Sequence, residues 1–310
     1  MEAIRKVKRR AKEAMKEQRI TVIFLVLVHA LMGYIFSATS IPIMQITQIT
    51  LYGWIFAIHL DLAVLLFFIL MVMSINSYGE FIKAYKNEKA SVKALFSGYK
   101  VNFLRKIGGW LWRYLWLSIW SIGFIGIFIF AFWLGNLDTG LSILAIPLMV
   151  LTVPFFIYII INRILAYLLI PYILASCPTV KAREAMKLSI RMTEGCKMGI
   201  IVMFLSFLGW IVLIALPGLF WGGIIYYTIL GGGWIIYGYG GGYGYLITIV
   251  LYIIFLRPYM QLTFAGLYIE LRDSALAEGT VTAEELGIEE VEAVEEDNKE
   301  ENSPIFDNAR

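Results

Sequence analysis

Apolar positions along this chain come in long unbroken runs, not in the alternation of a half-buried strand or the three-and-four spacing of a surface helix. Six runs, at about 21–40, 51–75, 110–134, 148–174, 199–219 and 246–268, are long enough to cross a bilayer. Spanning about 30 Å of hydrocarbon takes roughly 20 helical residues, and irregular backbone there would leave peptide groups unpaired. Helix is therefore the predicted element for each run. The fourth is embedded in an apolar stretch over 141–175, too long for one crossing, so its outer third is expected to lie along the interface or to break at Pro154. Between the runs, the segments at 1–19, 76–109 and 176–198 carry eight, seven and five Lys/Arg, while the other three connections carry none.

That asymmetry sets an orientation, because cationic loops resist translocation. Both termini and the two basic loops are placed in the cytoplasm, and the basic N-terminus with the first run reads as a retained signal anchor. Composition agrees: 60% hydrophobic, 16% charged and a mean hydropathy of +0.76 exclude an ordinary water-soluble domain. The expected fold class is an all-α polytopic membrane bundle of about six spans, N-in and C-in, with cytoplasmic amphipathic helices. It divides into a basic N-terminal helix over 1–20, a membrane domain over 21–272 and an acidic tail over 273–310. The net charge of +3 hides this segregation, since 1–272 holds 24 Lys/Arg against 10 Asp/Glu and 273–310 holds 2 against 13. A tail so acidic buries too little surface to fold alone. Within it, Thr282 and Glu285 form a capping box ahead of Leu286, Ile288 and Val291, and its charge makes it a competitor of lipid for the basic loops.

In the loop at 178–195, Ala182, Ala185, Met186 and Ser189 share one helical face. Lys181, Arg183, Lys187 and Arg191 lie off it, as in a basic amphipathic helix resting on anionic headgroups. The aromatic and lysine-rich loop at 80–106 suits anionic lipid or an acidic membrane-protein partner equally. No nucleic-acid reading module is present. The stretch GGGWIIYGYGGGYGY at 231–245 lies in a block, 198–256, without a charge, and lacks the glycine spacing and the Gly-Lys-Ser/Thr of phosphate loops. As an outer link it is either an aromatic interfacial cap or, with LFWGGIIYYTIL before it, a re-entrant half-span lining a cavity.

Ionisable residues inside spans are costly unless paired, hydrated or able to snorkel. Arg113 is close enough to the cytoplasmic end of the third run to snorkel. Asp61, ten residues into the second run, is about 15 Å deep, and Arg163 and Arg257 lie at comparable depth. An ion pair between Asp61 and one of these arginines is expected, either as structural cement or as part of a transport path. His59 falls on the far side of the helix from Asp61, and His29 in the first run has no Cys, Asp or Glu beside it. Cys177 and Cys196, eighteen residues apart in between, read as reduced thiols. HExxH, DxxD and GxSxG are absent, so no catalytic residue, metal set or cofactor is expected.

The segments YILASCPTVKAREAMKLSIRMTEGCKMGIIVMFLSFLGWIVL and LRPYMQLTFAGLYIEL resemble the prokaryotic integral-membrane family of domain of unknown function 975. The likeness rests on Pro178, Glu184, Ala185, Ser189, Met192, Gly195, Lys197, Ser206, Phe207, Gly209 and Trp210, then on Pro258, Tyr259, Thr263, Ala265 and Tyr268. It extends more weakly over the first half through ALFSGYKVNFLRK and WLWRYLWLSIW. The resemblance implies a six-span protein of a prokaryotic plasma membrane, loosely similar to the membrane domains of glycerophosphodiester phosphodiesterases, and no catalytic residue. Three function classes follow, in order: a non-catalytic organising, accessory or partner-binding protein; a small transporter or channel centred on Asp61; and a lipid-modifying enzyme.

Overall fold

The structure, a computed structural model, describes residues 2–38, 42–51, 54–97, 102–136, 143, 145–221 and 242–288. Most of the glycine-tyrosine link, the segment proposed as re-entrant and the last part of the acidic tail lie outside them. The chain starts with α1 (Glu2–Glu17) and α2 (Arg19–Ala38), which meet in a 94° elbow. A hairpin follows, β1 (Pro42–Leu51) antiparallel to β2 (Trp54–Asp61), with Leu51 opposite Trp54. Helices make up the rest: α3 (Leu62–Tyr85), α4 (Ala94–Ser97), α5 (Phe103–Gly135), α6 (Ala145–Ala166), α7 (Ile170–Ser176), α8 (Ala182–Thr193), α9 (Lys197–Trp221) and α10 (Gly242–Leu251). Through one π-turn (Tyr252–Leu256), α10 continues into α11 (Arg257–Ala277), and a last turn, α12 (Ala283–Leu286), closes the described chain.

Among the described residues, five helices are long and apolar enough to cross a membrane: Leu66–Tyr85, Phe103–Gly135, Val150–Ser176, Lys197–Gly218 and Leu246–Ala277. Counting the elbow pair makes six, the number expected. Two boundaries are corrected. The second run does not begin a helix at 51, because 54–61 is strand and α3 starts only at Leu62. A short apolar run of Trp, Ile, Phe and Leu has no periodicity that separates strand from helix, and its aromatic and β-branched residues favour the pleated form. The fourth run does not break at Pro154, which lies inside α6. The interruption falls at 167–169, just before Pro171, whose missing amide cannot bond the carbonyl four residues back.

The π-turn has a similar cause. Pro258 would press its ring on the carbonyl of residue 254 in a regular helix. Instead Arg257 N donates to Tyr252 O, five residues back, and the wider turn moves that carbonyl aside.

Packing is uneven along the bundle. The close-packed core includes Ile170, Ile173 and Leu174 of α7, which packs on α3, α5 and α8, and the same buried cluster takes in Met73 and Ile75 of α3, Ala185 of α8, Met203 and Phe207 of α9, and Tyr268 of α11. By contrast, the apolar window of α5 is only 6% buried and that of α9 17%, so long stripes such as Leu115, Ile122, Ile129 and Leu205, Leu208, Val212 face outward. Contiguous apolar surface on that scale needs an apolar covering.

Two glycines set close helix contacts. A Cβ on Gly109 of α5 would strike Leu174 of α7, and one on Gly266 of α11 would lie 2.7 Å from the Tyr85 hydroxyl and closer still to its ring.

Candidate functional site

Cations collect at the close-packed end. On α1, Val7, Ala11 and Ala14 form the buried stripe at i, i+4 and i+7, which leaves Arg5, Lys6, Arg9, Lys12 and Lys16 exposed. The helix lies across the ends of α3 and α11, with Arg10 over the Tyr85 ring at 5.3 Å and Lys8 over Phe207 at 4.5 Å and bonded to Ser206. Its elbow is tied down by Gln18, which donates to Glu88 O at 2.6 Å and accepts from Ala90 N at 3.0 Å. The carboxylate of Glu80, 3% exposed, accepts from Ser91 N at 2.7 Å and Lys83 Nζ at 2.8 Å, fixing the loop between.

The α8 helix appears where the sequence predicts it, with Lys181, Arg183, Lys187 and Arg191 all exposed. Its apolar face, however, is not turned to lipid. Ala185, Met186, Leu188 and Met192 are buried against α5, α7 and α11. Ser189 holds the α6–α7 break, donating to Ala166 O at 2.6 Å and accepting from Leu169 N at 3.2 Å. Glu184 caps the helix start by accepting from Lys181 N at 3.1 Å. From α5, the Arg105 guanidinium donates to the carbonyls of Leu174, Cys177 and Val180 at 2.7–2.8 Å, and so closes the end of α7.

The start of the acidic tail docks on this helix. The α11 helix runs past the expected boundary at 272/273 to Ala277, and Val281 and Leu286 are buried beyond it. The capping box forms as expected: Glu285 N donates to Thr282 Oγ1 at 3.3 Å and Thr282 N to Glu285 Oε2 at 3.2 Å. Arg191 reaches across to Glu285 at 2.8 Å and to Thr280 O at 3.1 Å. The hydrogen bonds from Arg191 and from the Thr282 backbone hold the Glu285 carboxyl below the usual range. Gly287, at φ 63°, ends the turn against Thr179, where any side chain would collide.

A second polar locus lies inside the bundle, between α2, α3 and the start of α11. A cavity of about 30 Å³ is lined by His29, Ser74, Ser77, Tyr78, Arg257 and Gln261, with Leu25, Val26 and Phe81 as its apolar wall. The Ser74 hydroxyl lies 3.4 Å from His29 Nε2, and Ser77 donates to Ser74 O at 2.6 Å. His29 Nδ1 and Gln261 Oε1 are buried without a hydrogen-bond partner among the described residues.

Of the residues expected to form a mid-span pair, Arg257 lines this cavity and Arg163 lies over the Trp120 ring at 4.2 Å. Asp61 is not ten residues inside a helix but the last residue of β2, and its side chain lies outside the described residues. Cys177 and Cys196 are free thiols, one buried and one exposed. Sequence reasoning passed over Gln261, Ser74 and Ser77. The available signal was their spacing: Arg257 and Gln261 at i and i+4, and Ser74, Ser77 and Tyr78 at i, i+3 and i+4, each a polar face on an apolar helix.

The class defined by these features is a helical protein with five or six helices fit to cross a membrane, a basic end and a small polar interior cavity. The chain belongs to the family described as protein of unknown function (DUF975), whose model matches residues 1–275. No curated protein and no solved structure matches it.

Proposed function

We propose that the chain is a non-catalytic membrane protein whose spans hold a basic cytoplasmic face against an anionic surface, in the first place the headgroups of its own bilayer. The observation that carries this reading is the gathering of exposed cations from α1 and α8 at one end of the bundle, with α1 turned 94° from α2 as a helix lying along a surface turns from a neighbour that crosses. Each cation near an anionic leaflet contributes about 1 kcal/mol, so Arg5, Lys6, Arg9, Lys12, Lys16, Lys181, Arg183 and Lys187 together outweigh any single contact. The outward apolar stripes of α5 and α9 support placement in lipid. Supporting a non-catalytic role, buried Ser189 and Glu80 and half-buried Arg105 bond backbone atoms and position helices. The test is thermal unfolding of the chain in nanodiscs of phosphatidylcholine with and without phosphatidylglycerol. The anionic lipid is expected to raise the midpoint, less so at high salt, and replacing Lys181, Arg183 and Lys187 together by Gln is expected to reduce the rise. Equal midpoints in both lipids would overturn the reading.

A transport role is the second reading, favoured by the polar cavity at Arg257. It predicts proteoliposome flux of a small ion that is lost in Arg257→Gln and in Asp61→Asn.

A further inference from the structure

The interior cavity raises a problem of charge. The Arg257 guanidinium follows the π-turn within the apolar helix Leu246–Ala277. Among the described residues no carboxylate pairs with it, and the side chains around it are neutral hydroxyl, amide, phenol and imidazole groups. An uncompensated cation at such a position is costly. Donors converge on the same space. When Ser74 donates to His29 Nε2, the ring carries its proton on Nδ1, the atom without a partner. Tyr78 lines the same wall, and a half-turn of the Gln261 amide presents Nε2–H in place of Oε1. Size then limits the occupant. The cavity of about 30 Å³ is a small multiple of the roughly 10–15 Å³ that one water requires, the scale of a small inorganic ion.

We propose that this cavity binds one small monovalent inorganic anion of halide size, held by the Arg257 guanidinium with His29 Nδ1–H and Tyr78 O–H as further donors. The anion neutralises Arg257 and joins α2 and α3 to α11, so it acts as an internal structural ligand. The site is independent of the basic surface.

The experiment uses the full purified chain in neutral detergent, with unfolding followed by tryptophan fluorescence at constant ionic strength as gluconate is exchanged for chloride or bromide. Halide is expected to raise the midpoint by roughly 3–5 °C at saturation and to leave folded Arg257→Gln unmoved. Should Arg257→Gln fail to fold, Tyr78→Phe removes one donor only, and it should raise the half-saturating chloride concentration about ten-fold. A midpoint equal in chloride and gluconate overturns the proposal, as does a chloride response unchanged in Arg257→Gln or, where that variant does not fold, in Tyr78→Phe. A wild type insensitive to halide beside an Asp61→Asn chain that responds to it assigns the counter-charge to Asp61, and also overturns it.

Discussion

Substituting Gly266 by Ala tests how the basic end is assembled. The added methyl would lie 2.7 Å from the Tyr85 hydroxyl oxygen and nearer to its ring carbons, where non-bonded carbons need about 3.5–4.0 Å. The overlap is therefore roughly 1 Å. The ring has little room to move away, since Tyr85 is 3% exposed and Arg10 of α1 covers it at 5.3 Å. Either α11 separates from α3 or α1 lifts, at a cost of about 1–3 kcal/mol, which lowers the unfolding midpoint by on the order of 5 °C. The assay is a double-mutant cycle by thermal unfolding in detergent. Tyr85→Ala alone is expected to be costly, about 3–5 kcal/mol, but the double variant Gly266→Ala, Tyr85→Ala should be no less stable than Tyr85→Ala, because the clash is gone. Tyr85→Phe should give no relief, since the ring itself obstructs the methyl. Strictly additive losses, or a neutral Gly266→Ala, would refute the close α3–α11 contact.

Other outcomes follow from the same geometry. Ser189→Ala leaves Ala166 O and Leu169 N without their buried partner, and should cost about 1–3 kcal/mol in thermal unfolding. Arg105→Lys keeps the charge but loses the fork that spans three carbonyls at the end of α7, so it should destabilise nearly as much as Arg105→Gln. Docking of α12 should weaken in acid. The Glu285 carboxyl is held below its usual range when docked, so its contribution is fully present above the undocked value and is lost as pH falls through the docked one. Because both partners are 41% exposed, the effect stays within about 1 kcal/mol, read as a loss of amide protection at 282–286, relative to the intrinsic exchange rate at each pH, on acidification through and below the ordinary carboxylate range in wild type but not in Glu285→Gln.

The apolar runs made the long helices legible, because lipid-length segments without charge have one economical backbone solution. The basic helix at 182–193 was legible for the same kind of reason, from the placement of Ala182, Ala185, Met186 and Ser189 on one helical face. Its burial was not, since an apolar stripe looks the same whether it faces lipid or α7. The strand at 54–61 was hidden because eight apolar-rich residues carry no period. The cavity was hidden for another reason. His29, Ser74 and Arg257 are brought together only by helix packing, and no local motif links residues so far apart in sequence.

Orientation is the claim on which the functional reading rests, and cysteine accessibility tests it most directly. With exposed Cys196 replaced by Ser and buried Cys177 kept, single cysteines at Asn136 and Lys187, both exposed on the protein, are treated with an impermeant maleimide on intact cells. Labelling at Asn136 from outside, with Lys187 reacting only after permeabilisation, is the predicted result; labelling of Lys187 from outside would contradict the account.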